Sequence, residues 1–227
     1  MPLPVNVGVL SPHERCIMRV TRRLRGLYVI VDPEACRGRD VVEIARQALE
    51  GGAAIIQWRD KRRDKGDQLA DARAIAALCR ESGGLFIVND HVDLAMACGA
   101  DGVHLGQHDL PIDAARPIAG DAMIIGVSTN DAAEARAAEA AGADYVAVGA
   151  IFATASKGNT RPANLERVRA VKAAVRVPVV AIGGINASNI RSVAEAGADA
   201  AAVISAVCGA DDPRATASEL SAALADR

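Results

Sequence analysis

Aromatic side chains are nearly absent from this chain: one Trp, two Tyr and two Phe in 227 residues. The core therefore cannot rest on large rings. Hydrophobic residues still make up 51% of the sequence, mostly Ala, Val, Ile and Leu. That is the composition of buried parallel strands and of helix faces built from small residues. Charge of one sign is also lacking. The formal net charge is −2, so no overall field draws in nucleic acid or an acidic membrane, and any cationic chemistry must be local. Long apolar runs are missing; the longest are strand-length, far short of the roughly 20 residues of a membrane span. The five cysteines, Cys16, Cys36, Cys79, Cys98 and Cys208, form no C-x-x-C pair and none has metal spacing with a histidine. They read as reduced thiols of a cytoplasmic protein. The N-terminus has no signal-peptide apolar region. Residues 1–25, basic from Arg19 to Arg25, read as an N-terminal extension, helical or partly disordered, ahead of a catalytic domain over 26–227.

What is present is alternation. Strand signals at Leu27–Val31, Ala54–Gln57, Leu85–Val88, Gly102–Leu105, Met123–Val127, Tyr145–Val148, Val179–Ile182 and Ala201–Ile204 are each followed by a helical pattern. Helices are expected from Asp40 to Glu50, Gly66 to Glu81, Val92 to Cys98 and Ile112 to Ile118. Four more are expected from Asn130 or Asp131 to Gly142, Asn164 to Val175, Ala187 to Ala196 and Pro213 to Leu224. Three helices end in nearly one phrase: Cys98-Gly99-Ala100-Asp101, Ala141-Gly142-Ala143-Asp144 and Ala196-Gly197-Ala198-Asp199. The glycine serves as C-cap and the apolar residues re-enter the core. Eight even β/α units without a linker predict an α/β fold, a single (β/α)₈ TIM barrel. A doubly wound open sheet is the rival, but it does not require eight units.

In a barrel the residues just after each strand share one mouth. Polar motifs sit at four such positions: Gln57-Trp58-Arg59-Asp60-Lys61, Asn89-Asp90, Gly102 to Asp109, and Thr154-Ala155-Ser156-Lys157. Gln57, Arg59 and Lys61 alternate and so share one side of an extended strand. Arg59 and Lys61 suit phosphate oxygens, although Arg59 to Lys65 also reads as a solvated charged loop. Asp90 and Asp109 suit a hard cation bridging phosphates, although both precede helices and could be caps. His104 lies inside a strand and reads as a hydrogen-bonded core residue rather than a base. Ser128 reads as a binding hydroxyl, since no nucleophile elbow surrounds it. Gly183-Gly184 and Ile204-Ser205 follow the seventh and eighth strands, the usual phosphate site of such barrels.

From Gly26 onward these motifs together resemble the thiamine-phosphate synthase family. The resemblance implies a transferase joining 4-amino-5-hydroxymethyl-2-methylpyrimidine diphosphate to a thiazole phosphate carboxylate, giving thiamine phosphate, diphosphate and CO₂. It implies that diphosphate leaves first and that the ring-stabilised methylene cation is then captured by the thiazole nitrogen. Arg59, Lys61 and Lys157 would be catalytic. Gln57, Trp58, Arg59, Asp60, Lys61, Asn89, Ser128 and Lys157 would hold the pyrimidine diphosphate. Thr154, Ala155, Ser156, Gly184, Ile204 and Ser205 would hold the thiazole phosphate, and Asp90 and Asp109 would ligate Mg²⁺. The partners would be these small molecules, with no nucleic acid and no membrane; a homodimer is left open. Ala150 and Ala153 stand where the family commonly has proline. A thiazole tautomerase-like isomerase and a non-catalytic thiazole phosphate or thiamine phosphate binding protein are the competing readings. The set of cations and carboxylates argues against both.

Overall fold

The computed structural model describes residues 24–153 and 164–225. Eight parallel strands close into a barrel in sequence order, β1 to β8. They are β1 Gly26–Val31, β2 Ile55–Trp58, β3 Leu85–Asn89, β4 Gly102–Leu105, β5 Ile124–Thr129, β6 Tyr145–Gly149, β7 Val179–Ile182 and β8 Ala200–Val203. Closure is made by β1 against β8, with Gly26 opposite Ala200 and Val29 opposite Val203. The open doubly wound sheet is thereby excluded.

The strand alternation sorts side chains into two layers. Tyr28, Ile55, Leu85, Ile87, Ile124, Tyr145, Val180, Ala200 and Ala202 point inward and fill the barrel. Leu27, Val29, Ile56, Trp58, Val88, Val103, Ile125, Val146 and Ala201 point outward against the helices. Leu24, two residues ahead of β1, is fully buried in the inner layer. The packed core thus begins before the expected boundary at residue 26, and residues 1–23 lie outside the described chain.

The helices agree closely with the sequence reading, and the differences have local causes. Val92–Cys98 matches at both ends. The helix expected from Ala187 begins only at Ile190. Asn186 ties its Oδ1 to the backbone N–H and hydroxyl of Ser188, and its own N–H to Asn189 Oδ1, a side-chain turn that competes with helix. Two four-residue helices, Pro33–Cys36 and Ser205–Cys208, had no periodic signal to reveal them. β5 extends to Thr129, so Ser128 lies within the strand rather than after it.

The repeated Ala-Asp phrase gains a physical meaning. Asp101, Asp144 and Asp199 each accept, through Oδ2, the first or second backbone N–H of a strand: Phe86 at 2.9 Å, Ile125 at 2.8 Å and Val179 at 2.8 Å. Each also donates its own N–H to the carbonyl of that same residue. Arg116 and Lys172 pair with Asp144 and Asp199 respectively. These carboxylates clamp the N-terminal ends of the strands, far from the mouth, where invariance of structure serves stability. Asp144→Ala, which strands a strand N–H and takes from Arg116 its carboxylate partner, should cost on the order of 3 kcal/mol. Urea denaturation checks this, with exposed Asp113→Ala as a control expected within about 0.5 kcal/mol of wild type.

Candidate active site

The C-terminal ends of the strands open into a cavity of about 510 Å³. Its walls come from the ends of β2 to β8, and two groups of residues face each other across it. Arg59, Lys61, Asn89, Asp90 and Asp109 lie on the side of β2 to β4; Gly183, Gly184, Ile204 and Ser205 lie on the side of β7 and β8. In a closed ring of eight, β3 stands opposite β7 and β4 opposite β8.

The charged segment after β2 is exposed over residues 61–65, as a solvated loop would be, but its charges are paired. Arg59 pairs with Asp32, Lys61 with Asp90, Arg62 with Glu34, Arg63 with Asp60 and Asp71, and Lys65 with Asp93. Asp32, which the sequence reading did not single out, is the partner of Arg59. It is buried, accepts the Glu34 N–H at 2.9 Å through Oδ1, and holds the Arg59 guanidinium through Oδ2. One carboxylate thus caps a short helix and aims an arginine. The available signal was a charge at the end of β1, in Val31-Asp32-Pro33, the one strand end left unread.

Two residues of the same motif point elsewhere. Trp58 alternates outward from the mouth, is 1% exposed, and donates through Nε1 to Gln68 Oε1 at 3.1 Å. Asp60 accepts the backbone N–H groups of Arg62 and Arg63 and the Arg63 side chain. Burial pushes its carboxyl up, but these donors outweigh it and hold the group below its usual range. The period-two rule that turns Arg59 and Lys61 to the mouth turns Trp58 and Asp60 away. Neither lines the cavity, and Gln57 of the same motif does not line it either. Gln57 faces inward, 2% exposed, with Nε2 donating to Tyr28 Oη at 2.7 Å.

The two candidate metal ligands are free of capping duty. His91 and Pro111 occupy the N-cap positions of the helices that follow. Asp90 has φ 64, the left-handed region that non-glycine residues seldom enter and that tends to cluster at functional sites. Its N–H donates to the His104 carbonyl at 2.8 Å. Asp109 Oδ2 accepts the Gly106 N–H at 2.7 Å. Burial raises the Asp109 carboxyl, and a hydrogen bond and like charge from Asp90 raise it further, against the opposing pull of Gly106 and Lys61. Two hard oxygen ligands pressed together suit Mg²⁺, which takes one or two carboxylates and completes its shell with water and phosphate.

Ser128 and His104 line the inner end of the cavity. His104 is 8% exposed and both ring nitrogens lie in hydrogen-bond range of hydroxyls, Tyr145 Oη at 3.0 Å and Ser128 Oγ at 2.9 Å. Gly184 has φ 65, and a Cβ there would lie 2.6 Å from the Ala153 carbonyl oxygen. Chain packing alone therefore requires glycine at 184. Ser205 opens the short helix after β8. Thr154, Ala155, Ser156 and Lys157 lie outside the described residues.

Comparisons with known proteins point one way. The family model for thiamine monophosphate synthase matches residues 27–207. A thiamine-phosphate synthase of Moorella thermoacetica is 49% identical over 195 residues, 86% of this chain and 93% of the relative. Another, of Methanoregula boonei, is 52% identical over 195 residues, 86% of this chain and 90% of the relative. The solved thiamine phosphate pyrophosphorylase of Pyrococcus furiosus superposes with a TM-score of 0.83 at 43% identity, covering 90% of this chain and 98% of that one. A 3-hexulose-6-phosphate synthase at 24% identity and TM-score 0.64 shares the fold alone.

The carboxylate pair yields a prediction about stability. A raised folded-state pKa means that ionised Asp109 opposes folding. Its contribution is favourable below the ordinary carboxylate range and is lost as pH rises through the folded value. Asp109→Asn keeps an acceptor for Gly106 and removes the charge. In EDTA at pH 7 it should melt higher than wild type, with the gain shrinking as pH falls through the carboxylate range. A lower melting temperature at pH 7 would mean that the Gly106 bond, rather than repulsion, dominates.

Proposed function

The chain belongs to the thiamine monophosphate synthase family, and from that membership we propose how its mouth performs the family's reaction. It condenses 4-amino-5-hydroxymethyl-2-methylpyrimidine diphosphate with a thiazole phosphate carboxylate, releasing diphosphate and CO₂ and leaving thiamine phosphate. One observation carries the assignment of roles. Cations and paired carboxylates stand on one rim of the cavity, and the glycine-rich β7–β8 loops on the opposite rim.

On the first rim, Asp90 and Asp109 would hold Mg²⁺ against the diphosphate. The ion would supply charge neutralisation for the departing group. Arg59, aimed by Asp32, and Lys61 complete the neutralisation by pairing with phosphate oxygens. Lys61 already sits on Asp90, so diphosphate can take up a cation that the rim holds in place. Asn89 and Ser128 offer neutral hydrogen-bonding groups beside the same path. Lys157 is proposed to join them from the loop after β6.

On the second rim, Gly184, Ile204 and Ser205 are proposed to hold the thiazole phosphate, together with Thr154, Ala155 and Ser156. The methylene carbon loses diphosphate and its bonding pair. The ring-stabilised cation is then attacked by the thiazole nitrogen, and CO₂ departs from the thiazole. No protein nucleophile takes part in this scheme. Positioning two anions at opposite rims accounts for the catalysis that geometry can supply. Among the described residues no helix is long and apolar enough to cross a membrane.

Incubation of the purified protein with both substrates and Mg²⁺ should yield thiamine phosphate, and EDTA should abolish it. Asp90→Ala should lower kcat/KM on the order of 10²-fold or more, as loss of an electrostatic stabiliser does. Full turnover in EDTA would sink the metal assignment. Asp32→Asn should weaken pyrimidine diphosphate binding and leave thiazole phosphate binding unchanged, because it frees Arg59 from its aim without touching the far rim. Calorimetry with each ligand separates the two; equal losses would contradict the division of the mouth.

A further inference from the structure

Five side chains inside the barrel form one hydrogen-bonded chain whose middle has no role in the scheme above. Gln57 Nε2 donates to Tyr28 Oη at 2.7 Å. The hydroxyls of Tyr28 and Tyr145 are 3.1 Å apart. Tyr145 Oη lies 3.0 Å from His104 Nδ1, and His104 Nε2 lies 2.9 Å from Ser128 Oγ. The members come from β2, β1, β6, β4 and β5. Both tyrosine rings are buried, at 1% and 0% exposure. Two phenols at such depth in a mostly aliphatic barrel interior are costly unless fully bonded.

Space has been reserved for this chain. A Cβ on Gly126 would lie 1.9 Å from Tyr145 Cζ. The glycine of Gly126-Val127-Ser128 thus makes room for the ring that continues the chain, and the same strand carries its last member.

Counting protons gives the chain a direction. Gln57 supplies an N–H to Tyr28; the arrangement that leaves no buried phenol proton unbonded has Tyr28 giving its own to Tyr145. Tyr145 in turn gives its proton to Nδ1. Desolvation holds both phenols well above their ordinary range, so both remain protonated links. A neutral imidazole that accepts at Nδ1 carries its proton on Nε2. Ser128 Oγ accepts that proton. Its own hydroxyl hydrogen is then free to point into the cavity, where Ser128 has no other hydrogen-bond partner among the described residues.

We propose that Tyr28 and Tyr145 are positioning residues that set the His104 tautomer and so make the Ser128 hydroxyl a donor towards an acceptor nitrogen of the heterocyclic substrate. The proposal rests on the reading that the pyrimidine binds on this side of the mouth. A site built to donate rejects a ring that presents N–H at the same place, because two donors would face each other. The tyrosines touch no substrate; they act through His104.

The first arm of the test uses no ligand. Nitrogen-15 NMR of histidine-labelled protein should show His104 bare at Nδ1 and protonated at Nε2. Tyr145→Phe removes the donor to Nδ1 and should shift the tautomer towards Nδ1–H. Tyr28→Phe leaves the Tyr145–His104 bond in place and should shift it less, in the same direction. Ser128→Ala should leave the tautomer as in wild type.

The second arm measures binding. Tyr145→Phe and Ser128→Ala should each raise the dissociation constant for the pyrimidine diphosphate about 3- to 10-fold, the worth of one hydrogen bond. Thiazole phosphate binding should not change. The proposal is overturned if wild-type His104 carries its proton on Nδ1, or if Tyr145→Phe moves neither tautomer nor pyrimidine affinity. It is also overturned if Ser128→Ala binds the pyrimidine as wild type does. A wild-type protein that binds no pyrimidine diphosphate would sink the functional reading instead, and the tautomer arm would still decide what the tyrosines do.

Discussion

Everything at the mouth depends on the parallel hydrogen bonds that join β1 to β8. Without that seam the strand order would end in two open edges, and residues scattered from Asp32 to Ser205 would have no common place to meet. The seam is made possible by small side chains. Ala200 and Ala202 take little of the barrel interior, while Tyr28 fills the inner layer from the neighbouring strand. Hydrogen-bonded closure and the pleat then decide together which residues face the cavity. Each functional side chain inherits its direction from the barrel rather than from its neighbours in sequence.

The carboxylates at the ends of β3 and β4 show what a functional site costs its fold. Asp90 holds an unfavourable backbone conformation, and Asp109 is pushed towards protonation by burial and by Asp90. A chain selected only for stability would place neither there. Lys61 relieves part of the repulsion without removing it. At the other end of the barrel, Asp101, Asp144 and Asp199 are engaged by backbone donors, and the last two by basic partners as well. One residue type thus does opposite work at the two ends: clamping below, and holding unspent charge above.

Much of this was legible in the sequence because the signals were periodic. Eight strand-length apolar runs and the repeated glycine C-caps gave the barrel, and strand ends gave Arg59, Lys61, Asp90 and Asp109. The reading failed where geometry is set by contact rather than by period. Trp58 and Asp60 were included with their motif although alternation turns them outward. Asp32 carries no motif of its own, and only the fold brings Arg59 to it. Tyr28 and Tyr145 read as strand residues; that their hydroxyls meet, 117 positions apart in the chain, is a property of the closed ring. The Asp of the repeated phrase was seen as punctuation, since its partner N–H lies on a different strand.

The fit of the Tyr145 ring over Gly126 bears on how such a barrel can change over generations. A larger side chain at 126 is admissible only after the ring at 145 has gone. Once the vacated space is filled, a return to tyrosine is blocked until glycine is restored. The two positions therefore form a single heritable unit whose steps can be taken in one order only. Descendants that abandon the interior hydroxyl chain are held away from it by sterics alone, whatever the advantage of recovering it.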